Sequence, residues 1–131
     1  MEKFRVLVID DEIDFVETIV KRLRDRGLEA EGALSGPEGL QILENKDFDV
    51  IVLDVKMPRM NGIETLREIK KKKPLVEVIM LTGHGSVESG IQGLQLGAFN
   101  YVMKPVPLNE LLKQMTQAYE RKLIEEDRLN R

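Results

Sequence analysis

The chain of 131 residues contains no cysteine and no tryptophan, and it has a single histidine, His84. The absence of cysteine excludes a disulfide scaffold, a thiolate metal site and a cysteine nucleophile. One histidine cannot form the histidine cluster of a typical zinc site. A metal site in this chain would therefore need oxygen ligands, which suit hard cations.

The chain also lacks an excess of basic residues and any long apolar run. It has 20 Lys and Arg against 23 Asp and Glu, a net charge of −3, and this balance does not favour direct binding to nucleic acid or to an anionic membrane. No apolar run approaches the ~18 residues of a membrane span. The first residues turn acidic at Asp10, before a signal peptide could develop its apolar stretch. We expect one cytoplasmic domain, since domains usually span ~100–200 residues.

Short apolar runs separated by polar residues are the first positive signal. Three strong runs lie at residues 4–9, 50–53 and 76–81, and two weaker ones lie at 29–33 and 99–102. Near-continuous runs of branched residues are typical of parallel strands that are covered on both faces. They predict five strands.

Helical patterns occupy the intervals between these strands. Apolar residues recur at three- and four-residue steps from Ile13, and Gly27 ends this first pattern. Ser35 and Glu38 have the spacing of a capping box for a second helix. Strand and helix alternate five times, which predicts an α/β fold with an open, doubly wound parallel sheet and helices on both faces. Five strands are too few for an eight-stranded barrel.

The fourth predicted helix carries a weakness of its own. Ser86 can cap it, and both Gly90 and Gly93 lie inside it. Each glycine costs ~1 kcal/mol relative to alanine in a helix interior, so we expect this helix to be the least stable. A fifth helix begins at about Leu108.

Polar side chains follow the strong strands at the points where they end. Asp10 and Asp11 follow the first strand, Asp54 the third, Thr82 the fourth and Lys104 the fifth. The carboxyl ends of parallel strands meet at one edge of a sheet, where function collects. Carboxylates ~4 Å apart repel by roughly 4 kcal/mol per pair at an effective dielectric of 20, so the group calls for a cation, and Mg²⁺ suits an all-oxygen set.

The lysine and the threonine at this edge offer a positive charge and a hydrogen-bond donor to an anion. A phosphoryl group could bridge Mg²⁺, Lys104 and Thr82. If an aspartate is itself the acceptor, the product is an aspartyl phosphate. Taken singly, each of these residues has an ordinary structural interpretation, such as capping a helix or closing a turn. Their joint placement at strand ends favours a site.

These residues resemble the receiver domain of bacterial two-component response regulators. The resemblance extends from residue 4 to about residue 119 and includes the M-P-x-M-N-G stretch at 57–62 and the Lys104-Pro105 pair. It implies a flavodoxin-like fold with strand order 2-1-3-4-5 and a cis bond before Pro105. The T-G-H-G run at 82–85 further resembles receivers attached to transcriptional activators of the ATPase type.

The resemblance also implies roles around the acidic group. Asp54 would accept a phosphoryl group from a sensor histidine kinase or a phosphotransfer protein. Asp11 would bind Mg²⁺ directly and Asp10 mainly through water, while Asp54 and the backbone carbonyl of Lys56 would complete the protein ligands. The chain would catalyse its own phosphorylation and dephosphorylation without being a turnover enzyme.

Further implied roles concern switching. Thr82 and Lys104 would hold the phosphoryl oxygens, and Thr82 would move together with Tyr101, the aromatic switch of the family. Lys56 and His84 would tune the lifetime of the phosphoaspartate, although His84 could equally be an ordinary loop residue. The altered face would comprise helix 4, strand 5 and helix 5, and a homodimer could form there.

Domain limits and rival functions remain open at this point. Residues 1–119 are expected to form the receiver, and 120–131 a charged extension of helix 5 that either links to an output domain or ends a stand-alone regulator. A flavin carrier would need a phosphate-cradling loop where the chain has acidic residues. A Mg²⁺-dependent phosphatase with an aspartyl nucleophile would need a second acid where the chain has Lys56. A receiver-like interaction module is the third alternative.

Overall fold

Within the residues that the structure describes, five strands alternate with five helices, and the strands form an open parallel sheet in the order β2-β1-β3-β4-β5. The computed structural model describes residues 2–83 and 87–131, so the predicted Ser86 cap and His84 lie outside the described residues. The predicted fold class and strand order are confirmed. The strands are β1 (Arg5–Ile9), β2 (Glu29–Ala33), β3 (Val50–Asp54), β4 (Glu77–Thr82) and β5 (Asn100–Met103), and the helices are α1 (Ile13–Asp25), α2 (Gly36–Asn45), α3 (Gly62–Lys72), α4 (Val87–Gln95) and α5 (Leu108–Leu129).

The core consists of two apolar layers, one on each face of the sheet. Every residue of β3 and β4 is buried, which explains their continuous apolar sequences. Alternate strand residues enter opposite layers: Val52 packs with α1 and α5, whereas Ile51 packs with α2 and α3. Burial of each large apolar side chain contributes about 1.5–3 kcal/mol. The sheet is thereby a rigid support for the side chains at its carboxyl edge.

Hydrogen bonds at the helix ends only partly follow the sequence prediction. Gly27 follows α1 with a φ of +85°, which is the expected left-handed end of a helix. The Ser35 side chain accepts a hydrogen bond from Glu38 N at 3.2 Å. Within residues 2–83 and 87–131, however, the reciprocal pair of bonds that defines a full capping box is found at Asn61 and Glu64.

The two glycines of α4 lie at its closest approach to the sheet. A Cβ atom on Gly90 would lie 2.7 Å from Cγ of Tyr101, and one on Gly93 would lie 3.1 Å from Cγ of Met80. The absence of a side chain therefore lets α4 pack directly on β4 and β5. This contact is the structural reason for the two glycines that weaken the helix.

The last helix is attached to the amino-terminal edge of the sheet beyond the predicted limit at residue 119. The guanidinium of Arg121 forms two hydrogen bonds with the Glu77 carboxylate, and Glu77 is only 4% exposed. Lys122 Nζ lies 3.0 Å from Asp49 Oδ1. Residues 121 and 122 therefore contact the folded body. In the part of the chain that the structure describes, no helix is long and apolar enough to cross a membrane.

Candidate functional site

Parallel pairing places the predicted site residues side by side at the carboxyl edge of the sheet. Asp10 directly follows β1, Asp54 ends β3, Thr82 ends β4 and Lys104 directly follows β5. Asp54 is level with Leu81 of β4, so each of these strands contributes its terminal residue at nearly the same height. The structure thus brings together four residues that are spread over 95 positions of sequence.

Three carboxylates form the centre of this edge. Asp10, Asp11 and Asp54 each offer an oxygen atom, and these three atoms all lie within 4.8 Å of one another. Asp10 is fully buried, Asp54 is 6% exposed and Asp11 is exposed. Asp10 Oδ1 accepts a hydrogen bond of 3.0 Å from the backbone N–H of Glu12, which fixes the carboxylate at the start of α1.

Negative charge at this cluster is held at a cost. Burial and, after it, the nearby Asp10 carboxylate raise the pKa of Asp54 to about 6, although Lys104 acts in the opposite direction. Burial also raises the pKa of Asp10, against the hydrogen bonds from Lys104 and Glu12 N. Closely spaced carboxylates with oxygen-only donors are the ligand set that a hard divalent cation prefers. The residues present therefore fit Mg²⁺.

The ammonium group of Lys104 contacts the carboxylates of this cluster. Lys104 Nζ lies 2.6 Å from Asp10 Oδ2, 3.0 Å from Glu12 Oε1 and 3.7 Å from Asp54 Oδ1. Burial alone would lower the pKa of Lys104, but its hydrogen bonds to Asp10 and Glu12 outweigh that effect and raise it. The side chain is therefore a cation whose charge is shared among three carboxylates.

The backbone around Lys104 holds this side chain in place. The Lys104-Pro105 bond is cis, as predicted, and Lys104 N donates a hydrogen bond of 2.8 Å to the carbonyl of Thr82. Nζ also lies 4.6 Å from the centre of the Phe15 ring, a cation–π distance. No sequence pattern predicted a role for Glu12 or Phe15, although both follow the acidic pair closely and Phe15 lies one helical turn beyond Glu12.

Thr82 ends β4 at the site, and its hydroxyl group contacts the neighbouring strand β5. The residue is fully buried, and Oγ1 lies 3.4 Å from the carbonyl oxygen of Val102 and 3.1 Å from Sδ of Met103. Both partners belong to β5. The expected contact between Thr82 and a phosphoryl group would therefore require the hydroxyl to turn.

The remaining predicted residues lie around this centre. Tyr101 is half-buried on β5, and its ring packs against Gly90 of α4. Lys56 is exposed, two residues after Asp54, and lines a groove of about 630 Å³ between α3 and α4. His84 lies outside the described residues.

Gly62 holds the loop after Asp54 close to α3. A Cβ atom at Gly62 would lie 2.4 Å from the Asp54 carbonyl oxygen and 2.7 Å from Cα of Val55. Gly62 N also donates a hydrogen bond of 2.8 Å to the Val55 carbonyl. The absent side chain therefore allows the backbone of the Asp54 loop to rest on the helix that follows it.

A five-stranded sheet of this order with three aspartates and a lysine at its carboxyl edge defines a receiver-type signalling domain. The chain belongs to the response regulator receiver domain family, whose profile matches residues 6–116. As a member of this family it is a signalling domain rather than a turnover enzyme.

Similar sequences include transcription regulators. The chain is 33% identical over 117 residues to the transcriptional regulatory protein ZraR of Klebsiella oxytoca, covering 89% of this chain and 26% of ZraR. It is 33% identical over 122 residues to a putative NtrX-like response regulator of Rickettsia conorii, covering 92% of this chain and 26% of that protein. The chain thus spans about a quarter of the length of these curated relatives.

Similar solved structures agree with this assignment. A receiver domain protein of Clostridium thermocellum is 42% identical with a TM-score of 0.87, and the match covers 92% of this chain and 97% of that one. NtrX of Brucella abortus is 27% identical with a TM-score of 0.92, and the match covers 98% of this chain and 29% of NtrX.

Proposed function

We propose that the chain accepts a phosphoryl group on Asp54 from a phosphohistidine of a sensor kinase or phosphotransfer protein. The observation that carries this proposal is that an oxygen of Asp54 lies within 4.8 Å of an oxygen of each of the other two aspartates, with the Lys104 ammonium 3.7 Å from Asp54 Oδ1. A nucleophilic oxygen, a cation site and a fixed positive charge converge on one small volume. These are the elements that phosphoryl transfer requires.

Asp10, Asp11 and Asp54 would hold the Mg²⁺, together with the backbone carbonyl of Lys56. When bound, Mg²⁺ supplies positive charge that offsets the carboxylates and stabilises the charge on transferring phosphoryl oxygens. The pKa of Asp54, raised to about 6 by burial and by Asp10, still leaves this side chain mostly ionised at neutral pH. Asp54 is therefore competent as a nucleophile.

In the transfer step a carboxylate oxygen of Asp54 attacks phosphorus in line with the P–N bond of phosphohistidine. The P–O bond forms as the P–N bond breaks, and the departing imidazole nitrogen takes up a proton. Lys104 gives up part of its contacts with the surrounding carboxylates and pairs with a phosphoryl oxygen. In the separate dephosphorylation step, water attacks phosphorus, the P–O bond to Asp54 breaks, and inorganic phosphate leaves. Lys56 and His84 would tune the rate of that hydrolysis.

The switch begins at Thr82. Its hydroxyl bond to the Val102 carbonyl is long, at 3.4 Å, and a phosphoryl group with about −1.5 to −2 charges is a stronger acceptor. As the hydroxyl turns toward Asp54, Tyr101 turns inward and the surface of α4, β5 and α5 changes. Val87, Ile91 and Met103 on this surface are between 40% and 46% exposed, which supports docking of an output domain, a partner or a second copy there.

Intact mass measurement tests the acceptor directly. Incubation with Mg²⁺ and a small acyl phosphate should add about 80 Da, the mass of one phosphoryl group, and Asp54→Asn should abolish the adduct. Asp47→Asn is the matched control, because Asp47 is exposed and pairs with Lys73 away from the site. A folded, metal-loaded protein without an adduct would contradict the proposal and favour a receiver-like interaction module; labelling of Asp54→Asn would move the acceptor elsewhere.

A further inference from the structure

Lys104 is held by more groups than the phosphoryl-transfer chemistry requires. Besides Asp10, its ammonium contacts Glu12 Oε1 at 3.0 Å and the face of the Phe15 ring at 4.6 Å. The Glu12 contact is within hydrogen-bond distance and the Phe15 contact is within cation–π distance, whereas the 3.7 Å separation from Asp54 Oδ1 is too long for a hydrogen bond. Residues at the start of α1 therefore hold the lysine more closely than Asp54 does through its carboxylate.

We propose that Glu12 is a positioning residue that competes with the phosphoryl group for Lys104 and so limits the rate and affinity with which Asp54 takes up that group. This inference rests on the proposed function. Asp10 and Glu12 differ in how easily they release the lysine. Asp10 is fully buried, whereas the Glu12 side chain is 66% exposed, so water can replace the lysine at Glu12 at little cost.

The direction of the effect follows from charge. A phosphoryl group on Asp54 presents about −1.5 to −2 charges, and pairing with it requires Lys104 to leave one of its present partners. Glu12 is the exchangeable partner. Its removal leaves Lys104 with Asp10 and Asp54 as its carboxylate partners and therefore favours the arrangement that binds a phosphoryl oxygen. Because exposed ion pairs are weak, the gain should be about two- to five-fold.

The probe for this inference is fluoroberyllate with Mg²⁺, a mimic of the phosphoryl group, alongside the initial rate of labelling by a small acyl phosphate. Glu12→Gln keeps the size of the side chain and removes its charge, and it should bind fluoroberyllate about two- to five-fold more tightly and be labelled faster by a similar factor. Its free energy of unfolding without ligand should stay close to that of the unchanged protein, which separates positioning from a structural role.

Asp14→Asn is the matched control. Asp14 lies in the same first turn of α1 and is exposed, and the described contacts of Lys104 do not include it. Its substitution makes the same change in net charge near the site. An equal gain in Asp14→Asn would show that bulk charge alone is responsible, and would overturn the proposal.

Double substitution provides the decisive comparison. In a Lys104→Ala background, Glu12→Gln should no longer change the labelling rate, because Glu12 acts through the lysine. In a Lys104→Arg background, which keeps a cation, part of the gain should remain. A full gain in Lys104→Ala would overturn the positioning role.

The outcomes also distinguish this inference from the proposed function. If the unchanged protein binds fluoroberyllate and is labelled but Glu12→Gln behaves identically, only the role of Glu12 is wrong. If the unchanged, folded protein with Mg²⁺ neither binds fluoroberyllate nor is labelled, the phosphoacceptor function and the inference that rests on it are both wrong.

Discussion

Asp10 and Lys104 are separated by 94 residues in sequence, yet Asp10 Oδ2 and Lys104 Nζ lie 2.6 Å apart. The strands that precede them, β1 and β5, do not pair with each other, since β3 and β4 lie between them. The ion pair therefore spans the carboxyl edge of the sheet. It links the residues before α1 to the loop before α5, with Lys104 Nζ 3.7 Å from Asp54 Oδ1.

Neutralisation of the acceptor should stabilise the metal-free protein. Burial and Asp10 raise the pKa of Asp54 from 3.8 to about 6, so the folded state binds more protons than the unfolded state between these values. The contribution of protonated Asp54 to the free energy of unfolding is fully present below about pH 3.8, and it is lost as the pH rises through about 6. At pH 7 in EDTA, Asp54→Asn should therefore unfold with a free energy about 1–3 kcal/mol higher than the unchanged protein.

Urea unfolding across pH 3.5–7.5 checks this prediction, and the difference between the two proteins should shrink as the pH falls toward 4. Asp47→Asn should show no gain, because pairing with Lys73 lowers the pKa of that carboxyl group. A constant difference at all pH values would show that the carboxylate charge is not the cause.

Mg²⁺ should stabilise the fold through the three aspartates. A ligand present at about ten times its dissociation constant adds about 1.4 kcal/mol to the free energy of unfolding, which raises Tm by about 2–6 °C for a domain of this size. Thermal melts with MgCl₂ and with NaCl of equal ionic strength measure the shift. Asp11→Asn should lose most of it, and a shift that persists in this variant would place the cation elsewhere.

Removal of the end of α5 should destabilise the receiver. A chain that ends at Tyr119 loses Arg121 and leaves Glu77, which is 4% exposed, with Lys70 at 3.9 Å as its remaining described cation. A buried charge that loses its closest partner is costly, and because Lys70 remains nearby and the Arg121 side chain is 46% exposed we expect a loss of about 1–3 kcal/mol.

A chain that ends at Ile124 keeps Arg121 and Lys122 and serves as the control for that truncation. Chemical unfolding of both chains gives the comparison, and Arg121→Met in the full chain should reproduce most of the loss. Equal stability of the two truncated chains would place the domain limit at residue 119, as the sequence analysis predicts.

Alanine substitutions in α4 should separate helix propensity from packing. Alanine is favoured over glycine by ~1 kcal/mol in a helix interior, but a Cβ atom on Gly90 would lie 2.7 Å from the Tyr101 ring. Gly90→Ala should therefore destabilise the protein, and Tyr101→Ser should relieve much of that loss in the double variant. Gly93→Ala meets the flexible Met80 side chain at 3.1 Å and should be close to neutral. Thermal unfolding of the unchanged protein, the two alanine variants and the double variant tests these expectations. A higher Tm for Gly90→Ala than for the unchanged protein would contradict them.

Much of the fold can be predicted from the local pattern of apolar and polar residues. The apolar runs predicted all five strands, and the alternation with helices predicted a doubly wound parallel sheet, because each face of such a sheet must be covered. The strand order came from the resemblance to receivers, since periodicity does not encode which strands are neighbours. Asp10, Asp54, Thr82 and Lys104 were identifiable because parallel strands present their carboxyl ends at a common edge.

The sequence by itself determined which residues reach this edge, because strand ends are set by local apolar patterning. Only the tertiary structure decided which partners their side chains take. It placed Lys104 against Glu12 and Phe15, turned the Thr82 hydroxyl toward β5, and brought Arg121 to Glu77. These contacts depend on distances of a few ångströms between elements far apart in the chain. They also depend on burial, which changes the free-energy cost of the charged form and the strength of its interactions with neighbouring charges.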